Sequence, residues 1–170
     1  KYMQLLVGPQ DTPYAGGFYL FNGMFPDEYP FYPMKMTSLT QGGGIRKHPN
    51  LYTNGKCCFS FLGTWAGPAW TACQNPVTVA ISMVSVLTNN PIQNEPGWES
   101  KNDKNTKLYE LAVRYFNIRY AVLEIMLNKK ELYKGFVTIF NKVFLKNYKN
   151  YLVEINKFKE YSGKNIKIPI

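Results

Sequence analysis

The sequence is poor in the residue types from which metal sites and disulfide frameworks are built. Its 170 residues include one histidine and three cysteines. An odd number of cysteines, two of them adjacent, argues against a secreted disulfide scaffold and favours a reducing compartment, so we expect a cytosolic or nuclear protein. No segment reaches the roughly 18 consecutive apolar residues that a membrane span needs, and we expect no membrane partner.

Acidic residues are also scarce, at 11 against 20 basic residues, which gives a formal net charge of +9. The excess is concentrated at the end of the chain, where residues 129–170 contain ten lysines and three glutamates. Such a run either binds an anionic partner such as nucleic acid or forms a solvated lysine-rich helix face. We favour the solvated face, because the aromatic residues there have core-like helical spacing, and we do not expect nucleic-acid binding.

The first half of the chain has the signals of short strands separated by turns. Strands are predicted in KYMQLLVG, FYLFNGMF and MKMTSL, at residues 1–8, 18–25 and 34–39. The intervening FPDEYPFYP is rich in proline, which fixes φ and removes a backbone donor, so it is predicted as an ordered aromatic loop. Residues 50–70 show no regular periodicity and are predicted to lie as an irregular stretch over the sheet.

The second half is predicted to be helical. Asn75 can cap a helix whose first position is Pro76, and its apolar stripe contains Val77, Ala80, Ile81, Val84 and Leu87. Because other apolar residues lie off that stripe, the helix is either central and buried or half-buried with a partner. Further helices are predicted over 105–128 and about 131–161. Strands followed by helices indicate an α+β fold, with a small antiparallel sheet and helices against one face and end.

The chemistry of the sequence is concentrated in residues 48–70, HPNLYTNGKCCFSFLGTWAGPAW. Successive residues of an extended chain point to opposite sides, so Cys57 and Cys58 are not both expected to face a cleft. One of them should be a small buried hydrophobe. Cys73, close to the helix cap, is expected to be a structural thiol.

Three common roles for such cysteines fit the sequence poorly. A papain-like protease needs a histidine across a cleft, whereas His48, the one histidine, lies on the same local stretch. A redox site favours C-x-x-C over a vicinal pair, and zinc needs four ligands in paired spacing. His48 is more simply interpreted as a structural hydrogen-bonding residue, and we expect no metal and no cofactor.

A thiol nucleophile that needs no strong base is the remaining interpretation. Exchange of one thioester for another involves two thiols of ordinary pKa and needs little help with proton transfer. Passage of the acyl group to an amine would require a donor for the oxyanion and a carboxylate near the amine. Asn50 and Glu95 are available for these roles, although their spacing does not show that they converge.

At these positions the sequence resembles the ubiquitin-conjugating enzyme (E2) family. The family pattern of His-Pro-Asn followed by a catalytic cysteine eight residues after the Asn is matched by His48-Pro49-Asn50 and Cys58. Cys57 then falls on a buried aliphatic position, and Trp70 matches the tryptophan after the nucleophile. GPQDTPYAGGFYLF and FPDEYPFYPMKM also resemble family elements, and LGTWAGPAW and NEPGWE resemble a larger E2 subgroup with a helical C-terminal extension.

The resemblance implies the ubiquitin-conjugating fold with a central buried helix, in a catalytic core at residues 1–100 and a helical extension at residues 101–170. It implies that Cys58 carries ubiquitin or a ubiquitin-like modifier as a thioester and that Asn50 supports the loop or the oxyanion. Glu95 would match the acidic gate position. The implied partners are an E1 activating enzyme, the modifier, an E3 ligase and lysine-bearing substrates. The residues that match the ligase-facing surface are Pro30, Phe31, Trp70, Thr71 and Ala72.

Two departures from the family pattern bear on these expectations. We expect the N-terminal helix and first strand of the family fold, which contribute to docking of the activating enzyme, to be missing. Ala72 replaces a proline that family members often carry two residues after Trp70, which affects the choice of ligase. A non-catalytic scaffold of the same fold that binds ubiquitin or a ligase is the alternative function, although such variants lack the cysteine that this chain keeps.

Overall fold

A computed structural model of the chain describes residues 1–128 and 131–170. Its sheet contains the antiparallel strands β1 (Tyr2–Val7), β2 (Phe18–Met24) and β3 (Lys35–Ser38), in the order β1-β2-β3. All three strands lie where the sequence predicts them. Residues 50–70 lie outside the sheet strands, with a 3-10 turn at Ser60–Leu62, as expected for an irregular stretch.

Strand β2 is buried on both of its faces. Tyr19 and Phe21 belong to the main core cluster, whereas Phe18 and Leu20 belong to a second cluster on the opposite face. Successive side chains of a strand alternate between the two faces, so four consecutive apolar residues require cover on both sides. The sheet is therefore an internal layer of the fold.

Helix α1 (Pro76–Ser85) begins where the sequence predicts and ends before the predicted Thr88. The Asn75 side chain accepts hydrogen bonds from the backbone of Val77 and Thr78, and a capping box completes the start. The buried residues are Val79 and Met83, whereas Val77 and Ile81 are 66% and 64% exposed. The predicted stripe was therefore wrong at Val77 and Ile81. The helix is half-buried. Because apolar residues occur on nearly all of its sides, the spacing of those residues does not indicate which face is buried.

Helix α2 (Lys104–Phe116) is capped by Asp103 and continues into a π-helical segment, Asn117–Glu124, and helix α3 (Ile125–Asn128). The predicted helix over 105–128 is therefore one continuous helix whose middle segment is π-helical. At the start of that middle the buried Asn117 accepts a 2.6 Å hydrogen bond from the Tyr19 hydroxyl and donates a 3.0 Å bond to the Ala15 carbonyl. A buried amide with both ends bonded fixes the helix against the sheet.

Helix α4 (Val137–Phe158) follows a 3-10 segment, Glu131–Phe136, and ends in another, Lys159–Tyr161. This confirms the helical prediction over about 131–161. The rings of Phe140 and Phe18 are 4.7 Å apart, so α4 covers the face of the sheet that α1 and α2 leave free. The expectation of helices on one face was wrong, because the outer side chains of β2 are as apolar as the inner ones.

Helix α2 shares the main core with the sheet and α1, since Tyr109, Val113 and Phe116 are fully buried in the same cluster. The division of the chain at residue 100 stays a prediction. Within residues 1–128 and 131–170, no helix combines the length and the apolar character needed to cross a bilayer.

Candidate functional site

His48 lies in the interior and is held by two hydrogen bonds. Its Nδ1 accepts a 3.0 Å bond from the Asn50 backbone N–H, so the proton is on Nε2, which lies 3.1 Å from the Val86 carbonyl. Burial lowers the pKa of His48 from 6.5 to about 3. A neutral imidazole with both nitrogens engaged has no capacity to act as a base, which fits the structural role expected from the sequence.

Asn50 and Cys58 hold each other through both backbone and side chain. The Asn50 side-chain amide donates a 2.7 Å hydrogen bond to the Cys58 carbonyl, and the Cys58 N–H donates a 2.8 Å bond to the Asn50 carbonyl. Leu51 also pairs with Cys57 as an isolated bridge. The His-Pro-Asn segment and the cysteine segment therefore form one rigid unit.

The adjacent cysteines face different surroundings. Cys57 is part of the main core, and burial raises the pKa of its thiol to about 12, so it stays a protonated hydrophobe. Cys58 borders a different space, a cavity of about 60 Å³ that Asn50 and Glu95 also line. Alternation along the chain thus separates the two thiols, as predicted from the adjacent positions of Cys57 and Cys58.

The Cys58 residue is nevertheless only 3% exposed, as is Cys57. Its thiol donates a 3.1 Å hydrogen bond to the carbonyl of Thr64 in the following loop. The Thr64 hydroxyl accepts a 2.9 Å bond from the Phe59 N–H and donates a 2.9 Å bond to the Cys57 carbonyl. Thr64 therefore ties the loop back over the cysteines.

Cys73 is exposed, which corrects the expectation of a structural thiol. It lies in the turn before α1, and the helix cap is satisfied by Asn75 without burying the residues that precede it. Proximity to a helix start gave no information on burial.

The cavity beside Cys58 collects residues from three separate segments of the chain. Its lining residues are Arg46, Pro49, Asn50, Tyr52, Cys58, Trp65, Asn94, Glu95 and Pro96. Glu95 Oε2 lies 3.1 Å from a terminal nitrogen of Arg46, and the two side chains are 25% and 19% exposed. Asn50, Glu95 and Cys58 thus line one cavity, a juxtaposition that their spacing left open.

Sequence reasoning missed Arg46, Thr64 and Trp65 as members of this site. Thr64 and Trp65 lie within the LGTW motif that was quoted for its resemblance, so the signal was present without a role attached. Arg46 precedes His48 by two residues and has no signal of its own. Its place beside Glu95 depends on a contact across 49 positions of sequence.

The proposed partner-facing residues lie together on a different surface. The Trp70 indole N–H donates a 2.7 Å hydrogen bond to the Pro30 carbonyl, and its ring centroid is 6.1 Å from that of Tyr29. Phe31 is 79% exposed, and Thr71 and Ala72 are also exposed. An exposed aromatic residue on a fixed loop is suited to contact a partner.

No group of three or more His, Cys, Asp and Glu side chains that could hold a metal ion occurs in the part of the chain that the structure describes.

The comparison with protein families matches residues 1–117 to the model described as ubiquitin-conjugating enzyme. The chain belongs to the ubiquitin-conjugating enzyme family. Proteins named ubiquitin-conjugating enzyme E2 Z are similar over 99% of this chain, at 38% identity in Xenopus tropicalis and 39% in Homo sapiens. The aligned region covers 55% and 48% of those proteins, so the chain spans about half the length of these E2 relatives.

A solved structure agrees with the ubiquitin-conjugating fold. The E2 domain of a ubiquitin-conjugating enzyme from Toxoplasma gondii matches with a TM-score of 0.56, covering 70% of this chain and 79% of that one. The sequence identity is 23%, so this likeness concerns the fold alone. The ubiquitin-conjugating α+β fold and the family resemblance seen in the sequence are thereby confirmed.

Proposed function

We propose that this chain is an E2 catalytic region that accepts ubiquitin or a ubiquitin-like modifier from an E1 enzyme as a thioester on Cys58. The observation that carries the proposal is the convergence of Cys58, Asn50 and Glu95 on one cavity in a member of the E2 family. The E2 Z names of its relatives agree with it.

The loading step needs a thiol and no strong base. The Cys58 sulfur forms a bond to the thioester carbonyl carbon of the activated modifier, and the thiol of the activating enzyme leaves. The buried, neutral His48 takes no part in this exchange. This matches the chemistry of two thiols exchanging one acyl group, in which proton transfer is a minor demand.

Transfer to lysine places different demands on the site. The amine attacks the carbonyl carbon, a C–N bond forms, and the C–S bond to Cys58 breaks. Asn50 fixes the Cys58 carbonyl with one amide hydrogen, and its second amide hydrogen is available for a developing oxyanion. Glu95 is the carboxylate of the cavity that can receive the amine proton.

The partner surface in this proposal joins the half-buried Pro30 and Trp70 to the exposed Phe31, Thr71 and Ala72. The hydrogen bond from Trp70 to the Pro30 carbonyl joins the two loops into one surface, which supports its use in ligase recognition. The irregular segment that bonds the Cys58 thiol at Thr64 continues along the chain to Trp70, so the thiol and this surface belong to one stretch of chain.

A charging assay tests the proposal. Full-length protein is incubated with activating enzyme, ATP and either ubiquitin or one of its relatives, and the products are run on a non-reducing gel. We expect an adduct that disappears with added thiol and in Cys58→Ala. If no modifier gives an adduct although the activating enzyme itself is loaded, the scaffold alternative replaces this proposal.

A further inference from the structure

Arg46 is the charged residue of the cavity whose role neither the motif nor the family resemblance supplies. Its guanidinium pairs with Glu95 Oε2 at 3.1 Å, and both side chains are mostly buried. Both also line the small cavity that borders Cys58. An ion pair in such a setting is screened less than one on the surface and has a defined geometry.

Arg46 is itself held firmly from several directions. Its backbone carbonyl accepts a 2.6 Å hydrogen bond from the buried Tyr109 hydroxyl. Its guanidinium carbon lies 4.2 Å from the centre of the Tyr52 ring, and Nη2 also donates to the Pro49 carbonyl. Arg46 thus connects helix α2, the His-Pro-Asn segment and the loop that carries Glu95.

The backbone of Glu95 bonds to Ile92 and Trp98 of its own segment, but among the described residues the hydrogen bond to its carboxylate comes from Arg46. Glu95 follows the short 3-10 turn Pro91–Asn94, and its side chain reaches the cavity from a loop that continues into Pro96 and Gly97. A carboxylate on a loop has several rotamers, and holding it in one orientation requires a partner on a more rigid element. Arg46 is that partner.

We propose that Arg46 is the positioning residue of the transfer step: by binding Oε2 of Glu95 it directs Oε1 toward the lysine amine that attacks the Cys58 thioester. This inference rests on the proposed function. In the step, the amine nitrogen bonds to the carbonyl carbon and one amine proton passes to Oε1. The C–S bond breaks, and the leaving Cys58 sulfur receives that proton from Glu95, which restores the thiol and the carboxylate.

The pairing predicts a defect confined to transfer. In Arg46→Met the apolar stem is kept and the guanidinium nitrogen that binds Oε2 is lost, so the carboxylate samples orientations that do not meet the amine. We expect loading of Cys58 to stay within about twofold of wild type, whereas discharge onto free lysine falls about tenfold or more. Arg46→Lys keeps the charge without the planar fork and should recover part of the rate.

A double-mutant cycle separates positioning from general structural damage. Full-length wild type, Arg46→Met, Glu95→Gln and the double variant are loaded with the modifier, and single-turnover discharge is followed against lysine concentration. We expect the double variant to be no slower than Glu95→Gln, because Arg46 acts only through Glu95. Arg119→Met removes an exposed ion pair to Glu124 of the same 3.1 Å length and should leave discharge unchanged.

Each outcome has a distinct meaning. The positioning role is wrong if wild type loads and Arg46→Met discharges at the wild-type rate. It is also wrong if the double variant loses the product of the two single fold-losses in discharge rate. In both cases the thioester proposal stands. If Arg46→Met fails to load while its melting temperature drops, and Arg46→Lys shows the same loss without partial recovery of discharge, Arg46 is structural. If the wild type never loads, the proposed function itself fails.

Discussion

The side-chain amide of Asn50 donates a 2.7 Å hydrogen bond to the backbone carbonyl of Cys58, eight residues along the chain. The return bond from the Cys58 N–H to the Asn50 carbonyl closes the unit. The thiol segment is therefore fixed to the His-Pro-Asn segment by the same residue that can meet an oxyanion.

Replacement of Asn50 by alanine is expected to slow transfer to lysine more than loading. Both steps pass through a tetrahedral oxyanion, but thiol exchange has the better nucleophile and the lower barrier, so the slower amine step depends more on each oxyanion donor, whose loss costs about 10²-fold in rate. The measurement compares single-turnover loading with discharge onto free lysine in Asn50→Ala and in Asn102→Ala, an exposed control. An equal loss in both steps would assign Asn50 to loop support alone.

Thr64 is expected to control access to the Cys58 thiol. Thr64→Val removes the hydroxyl that bonds Phe59 and Cys57, and two lost hydrogen bonds of ~1 kcal/mol each should raise the open fraction of the loop roughly tenfold or more. The rate of Cys58 modification by a thiol-reactive disulfide reagent reports this opening. The assay uses a Cys73→Ser background, since Cys73 is exposed, and Thr88→Val, at another exposed threonine, as control. An unchanged rate would show that the hydroxyl does not hold the loop closed.

His48 is expected to make the fold sensitive to acid. Its pKa falls from 6.5 in the unfolded chain to about 3 in the fold because burial disfavours the imidazolium. The unfolded state therefore binds more protons between these values, and the free energy of unfolding should fall with decreasing pH by up to ~1.4 kcal/mol per unit. His48→Asn removes the titrating group and supplies an oxygen acceptor for the Asn50 N–H. If the free energy of unfolding of the wild type changes with pH as little as that of His48→Asn, this expectation is contradicted.

Lys47 is expected to give a slope on the alkaline side. It is fully buried, its ammonium nitrogen lies 5.5 Å from the centre of the Phe116 ring, and burial lowers its pKa from 10.5 to about 7. Because the unfolded chain holds a proton that the fold lacks between pH 7 and 10.5, this group makes the fold more stable as pH rises.

The difference between wild type and Lys47→Met isolates that contribution. We expect Lys47→Met to be the more stable protein at pH 7, with the difference shrinking by up to ~1.4 kcal/mol per pH unit toward pH 10. Lys146→Met changes an exposed lysine and should show no such trend. The readout is the free energy of unfolding from urea titration at each pH. A constant difference would mean that Lys47 stays protonated inside the fold.

The sequence predicted the parts of this site that depend on local spacing. The three strands, the Asn75 cap and the separation of Cys57 from Cys58 follow from turn chemistry, capping and the two-residue period of extended chain. It failed where several arrangements satisfy the same pattern. Val77 and Ile81 could lie on either face of an apolar helix, and only packing against the sheet selects one.

Other features depend on contacts between distant segments. The cover of the outer sheet face by Phe140 brings together residues more than a hundred positions apart, and the pairing of Arg46 with Glu95 joins two loops that have no periodicity. The closure of Thr64 over Cys58 is local, but it depends on which hydroxyl and carbonyl groups meet in an irregular loop. No periodic pattern of apolar residues in the sequence indicates any of these contacts.

The most direct test of the account is the chemical identity of the bond at Cys58. Full-length wild type, Cys58→Ser, Cys58→Ala and Cys73→Ser are incubated with activating enzyme, ATP and modifier, and intact masses are measured before and after addition of thiol. We predict one modifier mass on wild type and Cys73→Ser that thiol removes, one on Cys58→Ser that resists thiol, and none on Cys58→Ala. An adduct that persists in Cys58→Ala, or that is lost in Cys73→Ser, would contradict the account.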